Sequence, residues 1–173
     1  MKKQTKSLTV LLCRAGVTAA LYAGLTIAFG SLAYGPLQIR PAEALCVLPL
    51  FFPETIFGLF VGCAMANLLS GYGAIDIVLG SIATLVAAVC TYGIGCLFKQ
   101  NVASALLGGL PPVLVNAIVI PFVIILATPG EGMGSYWVWF AQMLLTQSVW
   151  VYVLGMPLYF GIRRIKGKTV YFT

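Results

Sequence analysis

Arg40 and Glu43 stand three residues apart in Tyr34–Pro53, YGPLQIRPAEALCVLPLFFP, between a long apolar run and a short one. A guanidinium and a carboxylate at this spacing can pair with each other. They can also orient a polar solute through charge-assisted, bidentate hydrogen bonds. Uncompensated charge in hydrocarbon is costly, so such residues usually face protein, water or a ligand. Further polar residues interrupt apolar stretches: Asn67 and Ser70, Asp76, Asn116, then Gln142, Thr146, Gln147 and Ser148. Carboxylates, amides and an aromatic wall supplied by Trp137 would make a cup suited to a planar, hydrogen-bonding solute.

Each of these residues also has a structural use. Arg40 and Glu43 can form a local ion pair, and Asp76 can cap a helix start. Asn67 and Asn116 can hold neighbouring helices together. Trp137 and Trp139 can anchor a span at the bilayer interface.

The elements that must position these groups are apolar helices. The 173 residues are 61% hydrophobic and 8% charged, with a mean hydropathy of +1.02. A soluble domain carries about 25% charged residues. This composition excludes disorder and points to one all-α, polytopic membrane domain. Approximate spans are 10–33, 41–53, 54–70, 76–98, 102–127 and 136–161. The first run exceeds the length of a signal-peptide core and reads as a retained span.

The segment 41–53 is the doubtful one. An α-helix from Pro41 to Phe52 rises only about 18 Å against about 30 Å of hydrocarbon, so it is a short, tilted span or a re-entrant piece. Pro41 suits a first helical turn, with Glu43 near its positive end.

Charge bias favours counting this segment as a span. Of ten basic residues, four lie in Met1–Arg14 and four in Arg163–Lys168. The preference of Lys and Arg for the cytoplasm then places both termini inside, which needs an even number of crossings. Six spans put Lys99 and Glu54 inside and Asp76, Glu131 and the 34–42 loop outside. The net charge of +6 is therefore topological and not the continuous surface a nucleic-acid binder needs.

On the first span, small residues recur every fourth position at Ala15, Ala19 and Ala23, and again at Gly16, Ala20 and Gly24. Such faces allow close helix approach, either within the monomer or to a partner. Histidine is absent and the five cysteines are scattered without metal-site spacing, so buried free thiols are expected and no metal or cofactor. There is no HExxH, GxSxG, Walker motif or nucleophile–base pair, so the chain is not expected to be an enzyme or to hydrolyse ATP itself.

The segments FGSLAYGPLQIRPAEALCVLPLF, NLLSGYGAIDIVLGSIATLVAA and VYVLGMPLYFGIRR resemble the QueT family over nearly the whole chain and in the same order. Members are substrate-binding S components of energy-coupling factor (ECF) transporters, assigned to queuosine precursors. The resemblance implies a six-helix bacterial plasma-membrane protein with cytoplasmic termini. It would bind a 7-deazaguanine-type precursor on the outer side. Uptake would require a transmembrane coupling protein and two cytoplasmic ATPase subunits, with the S component toppling in the membrane. A small-residue face on the first helix would dock to the coupling protein, matched here by Ala15, Ala19 and Ala23.

Family motifs fall on Arg40, Glu43, Asn67 and Asp76. Glu43 or Asp76 is expected at the N–H edge of the base, and Arg40 or Asn67 at its carbonyl edge. The resemblance also implies a Gly-Glu pair before the VYVLG segment. Here the chain reads LLTQSVWVYVLG, with Gln147 near the acidic position. Two other readings stay open: a standalone secondary transporter or channel, and a membrane scaffold whose polar residues only join helices.

Overall fold

The computed structural model describes residues 7–35, 38–98, 101–130 and 132–166, all helix and connecting turns, with no strand among them. Lys99 and Glu131, placed by charge bias inside and outside, lie beyond these residues. Four helical stretches are long and apolar enough to cross a membrane: Leu8–Ala28, Asp76–Phe98, Val102–Ala127 and Met133–Lys166. Pro41–Leu50 and Thr55–Asn67 are shorter apolar helices.

The first run is not one helix. α1 (Leu8–Ala28) ends just before Gly30, whose φ of +45° suits glycine and which opens a five-residue α2 (Gly30–Tyr34). The doubtful second segment, Pro41–Leu50, is a 3-10 helix with Pro41 in its first turn and Pro49 inside. Ten residues at the steeper 3-10 rise span about 20 Å.

That shortness matters little because the segment lies inside the protein. Nine of its ten residues are buried, and α1 and the helices Ser81–Phe98, Val102–Gly108 and Gly155–Lys166 all pack on it. Irregular backbone at membrane depth is tolerated where protein surrounds it. Glycines make the room: a Cβ at Gly95 would lie 3.0 Å from the Leu50 backbone, and one at Gly155 would lie 3.0 Å from Val47. The segment expected as a tilted or re-entrant span is thus a central post.

Around the post stand α3 (Thr55–Asn67), α4 (Ser81–Phe98, entered through a π-helical turn Asp76–Gly80), α5 (Val102–Gly108), α6 (Leu110–Ala127), α7 (Tyr136–Ser148) and α8 (Gly155–Lys166). A second π-helical stretch, Val149–Leu154, joins α7 to α8. The last helical stretch reaches Lys166, beyond the expected end at 161, and its final turn carries Arg163, Arg164 and Lys166. Cations there complement the helix dipole.

The exterior is apolar: Leu12, Phe57, Val86, Ile118 and Val153 all face outward. Polar side chains such as Arg40, Glu43 and Asp76 are turned in. This inversion of the soluble pattern is what hydrocarbon surroundings require.

α1 and α3 meet closely. A Cβ at Gly58 would lie 2.5 Å from the Ala15 carbonyl oxygen, and one at Gly62 would lie 2.7 Å from that of Ala19. Ala19 and Ala23 are buried and Ala15 is half-buried in this seam, so the alanine face packs against α3 within the monomer. The parallel series Gly16, Ala20 and Gly24 faces outward.

At one end Arg14 donates to Glu54 at 3.0 Å and lies 4.8 Å over the Phe52 ring. Lys166 lies 5.8 Å from the same ring. The start of the first helix and the end of the last therefore share one end of the bundle.

Candidate functional site

Near the opposite end, Tyr34 donates its hydroxyl to the Ala66 carbonyl at 2.6 Å, pinning α2 against the end of α3. The backbone then folds back: Gln38 N–H bonds Gly35 O at 2.9 Å, and Ile39 N–H bonds Leu32 O at 2.9 Å. Gln38 sits at φ +46°, uncommon for a residue with a Cβ. This reversal drives Gln38, Arg40 and the start of the 3-10 helix into the interior.

Two carboxylates organise the buried polar groups. Glu43 accepts from Tyr22 Oη at 2.6 Å, from Cys46 Sγ at 3.3 Å and from Asn116 Nδ2 at 3.2 Å. Asn116 Nδ2 also reaches Gln147 Oε1 at 3.4 Å. One amide thus bridges the 3-10 helix, α6 and α7. An acid at 147 would set a second carboxylate around that amide; glutamine avoids the repulsion.

Asp76, fully buried, accepts from Ser70 Oγ at 2.5 Å, and its Oδ2 lies 3.6 Å from Arg40 Nη2. Its backbone carbonyl accepts from Asn67 Nδ2 at 3.0 Å. Arg40 Nε is fixed by the Ala33 carbonyl at 3.1 Å, and the guanidinium lies 5.7 Å over the Tyr34 ring. The π-helical turn holds Asp76 here, a device frequent at functional sites. Gly80 closes it, since a Cβ there would lie 2.7 Å from Asn67 Nδ2 and 2.8 Å from Asp76 Oδ1. Beside this group, burial and then the Asp76 charge push the Tyr72 phenol up.

Six of the expected residues are buried in two groups, Glu43 with Asn116 and Gln147, and Asp76 with Arg40 and Asn67, all 4% exposed or less. Two expectations are corrected. Arg40 pairs with Asp76, not with Glu43 three residues away; among the described residues the ion pairs are Arg40–Asp76 and Arg14–Glu54. Asp76 does not cap α4, because its carboxylate is turned to Ser70 and Arg40 and the turn has no side-chain cap.

Trp137 is not in the cluster. It is 70% exposed, packs edge-on to Tyr136 and Phe140, and sits as a bilayer anchor would. Tyr22 and Gln38 belong to the interior and were not anticipated. Thr18, Tyr22 and Thr26, spaced by four, were the available signal for Tyr22.

Five buried polar atoms in this region have no hydrogen-bond partner: both amide atoms of Gln38, Arg40 Nη2, Asn67 Oδ1 and Asp76 Oδ1. Leaving a buried polar atom unsatisfied costs about 1–3 kcal/mol. These atoms belong to residues 38–40, the end of α3 and the π-helical turn. Among the described residues no three His, Cys, Asp or Glu side chains gather to hold a metal.

An apolar-skinned helical bundle with charge and amides sealed inside is the architecture of a multi-pass membrane protein. The family model described as "QueT transporter" matches residues 12–164, and the chain belongs to the QueT transporter family. The "Queuosine precursor transporter QueT" of Lactococcus lactis subsp. cremoris (strain MG1363) is 35% identical over 83 residues. That match takes in 47% of this chain and 48% of the relative, about half the length of each. No solved structure matches.

Proposed function

We propose that the protein is the substrate-binding subunit for uptake of a queuosine precursor of 7-deazaguanine type, energised by an ECF coupling protein and two ATPase subunits. The observation that carries the reading is the set of unpartnered buried atoms around Arg40, Asn67 and Asp76. A guanine-like base offers a carbonyl to a cationic donor and N–H groups to carboxylate and amide oxygens. Asp76 is favoured over Glu43 for the N–H edge, because both Glu43 oxygens already have donors while Asp76 Oδ1 has none. Arg40 Nη2 is the available donor for the carbonyl edge.

The shared position of Arg14 and Lys166 supports an even number of crossings, read here as six, with both residues at the bacterial cytoplasmic face. Arg40 and Asp76 then lie toward the outside. With Ala15, Ala19 and Ala23 turned against α3, docking to a coupling protein falls to the outward series Gly16, Ala20 and Gly24. Membership of a transporter family favours transport over the scaffold reading.

Titration of the purified chain with 7-deazaguanine precursors should show one-to-one binding without partners, lost in Asp76→Ala. Reconstituted uptake should require the coupling and ATPase subunits. Binding unchanged in both Asp76→Ala and Arg40→Ala would overturn the site, and uptake by the chain alone would overturn the ECF mechanism.

A further inference from the structure

Gln38 has no role in the fold that its side chain explains. It is 1% exposed, yet neither its amide nitrogen nor its amide oxygen has a partner. A longer side chain at φ +46° is an unfavourable choice where glycine or asparagine fits better. The backbone turn at this position is made by main-chain bonds from Gln38 and Ile39, which any non-proline residue would supply. What glutamine adds is a planar carboxamide with a donor beside an acceptor.

The unpartnered atoms sort by type. Arg40 Nη2 is a donor, Asn67 Oδ1 and Asp76 Oδ1 are acceptors, and Gln38 offers one of each on a single plane. A 7-deazaguanine-type base has three polar edges. Its C6 carbonyl accepts, its N1–H and 2-amino group donate, and its N3 acceptor stands beside the N9–H donor. Arg40 matches the first edge, and Asp76 with Asn67 matches the second. The third needs an adjacent donor and acceptor, which among these groups Gln38 alone presents.

We propose that Gln38 is a substrate-reading residue whose amide donates to N3 and accepts from N9–H of a free 7-deazaguanine-type base, so that N9-glycosylated forms are refused. The inference rests on the precursor-binding reading above and adds a residue and a selectivity to it. A site that hydrogen-bonds a substrate N–H discriminates sharply against analogues lacking it, because its own buried groups are then left unpaired.

The test is calorimetric titration of the full chain with a 7-deazaguanine precursor base and with its N9-methyl derivative. Wild type should prefer the free base by about 100-fold or more. Gln38→Leu should weaken free-base binding by about 10- to 100-fold, and it should shrink the preference over the N9-methyl form to within about tenfold. Gln38→Asn keeps the amide, suits the positive φ and withdraws the group by one methylene. It guards against a folding defect and should show the same collapse of preference.

If wild type binds no precursor base, the underlying reading fails. If wild type binds but both variants keep its preference, Gln38 does not read N9–H and the proposal is overturned. Equal weakening of both ligands in the variants would mark a purely structural role and would overturn it too.

Discussion

Replacing Gly62 by alanine tests how α1 is held and whether that contact reaches the site. The added methyl carbon would stand 2.7 Å from the Ala19 carbonyl oxygen, 2.9 Å from Tyr22 Cβ and 3.0 Å from Ala19 Cα. Two of these neighbours are backbone, so no flexible side-chain end can swing away. Ordinary contact needs α1 to retreat by roughly 0.7 Å, and such overpacking costs about 1–3 kcal/mol. Tyr22 moves with α1, and its hydroxyl holds Glu43.

Gly62→Ala should therefore lower the midpoint of thermal unfolding in detergent and weaken precursor binding together. Gly16→Ala is the matched control: nothing lies within 4 Å of its added carbon, and alanine gains about 1 kcal/mol of helix propensity over glycine. That variant should be at least as stable as wild type and bind normally. Scanning fluorimetry of both, read at one heating rate, decides the matter. A Gly62→Ala protein as stable as Gly16→Ala would refute the close α1–α3 seam.

Other outcomes follow from single contacts. Tyr22→Phe removes the 2.6 Å bond to Glu43; losing a hydrogen bond to a charged group should cost about 1.5–3 kcal/mol, read as a lower unfolding midpoint. Trp137→Leu should leave precursor affinity within about twofold of wild type, since the ring is on the lipid-facing exterior. The Tyr72 phenol is raised by burial and by Asp76, so the folded state keeps its proton where an unfolded tyrosine has lost it. Stability should be intact below about pH 10 and decline as pH climbs above it. Tyr72→Phe should remove that part of the alkaline decline in a pH series of melting curves.

Much of the arrangement was legible because hydrocarbon penalises polarity. Asn67, Asp76, Asn116 and Gln147 stood out against apolar runs, and each is buried where Arg40 and Glu43 are. What stayed hidden depended on which helix faces which. The two small-residue series of α1 are equivalent as spacing. Only the partner helix, with Gly58 and Gly62 four apart, selects the alanine face. Thr18, Tyr22 and Thr26 lie beside Ala15, Ala19 and Ala23 and should turn inward for their polarity, which was the available hint.

The partner of Arg40 was obscured because short sequence spacing favoured Glu43. The chain reversal at Gln38 and the 3-10 geometry instead send the two side chains to different carboxylate-centred groups. The second segment looked too short because its length was compared with a bilayer, whereas it is surrounded by protein.

The most direct measurement is titration of the folded, purified chain with a 7-deazaguanine precursor, in wild type, Asp76→Asn and Trp137→Leu. One-to-one binding by wild type and Trp137→Leu, with a loss of about 100-fold in Asp76→Asn, is the predicted result. Failure of wild type to bind any precursor, or undiminished binding by Asp76→Asn, would contradict it.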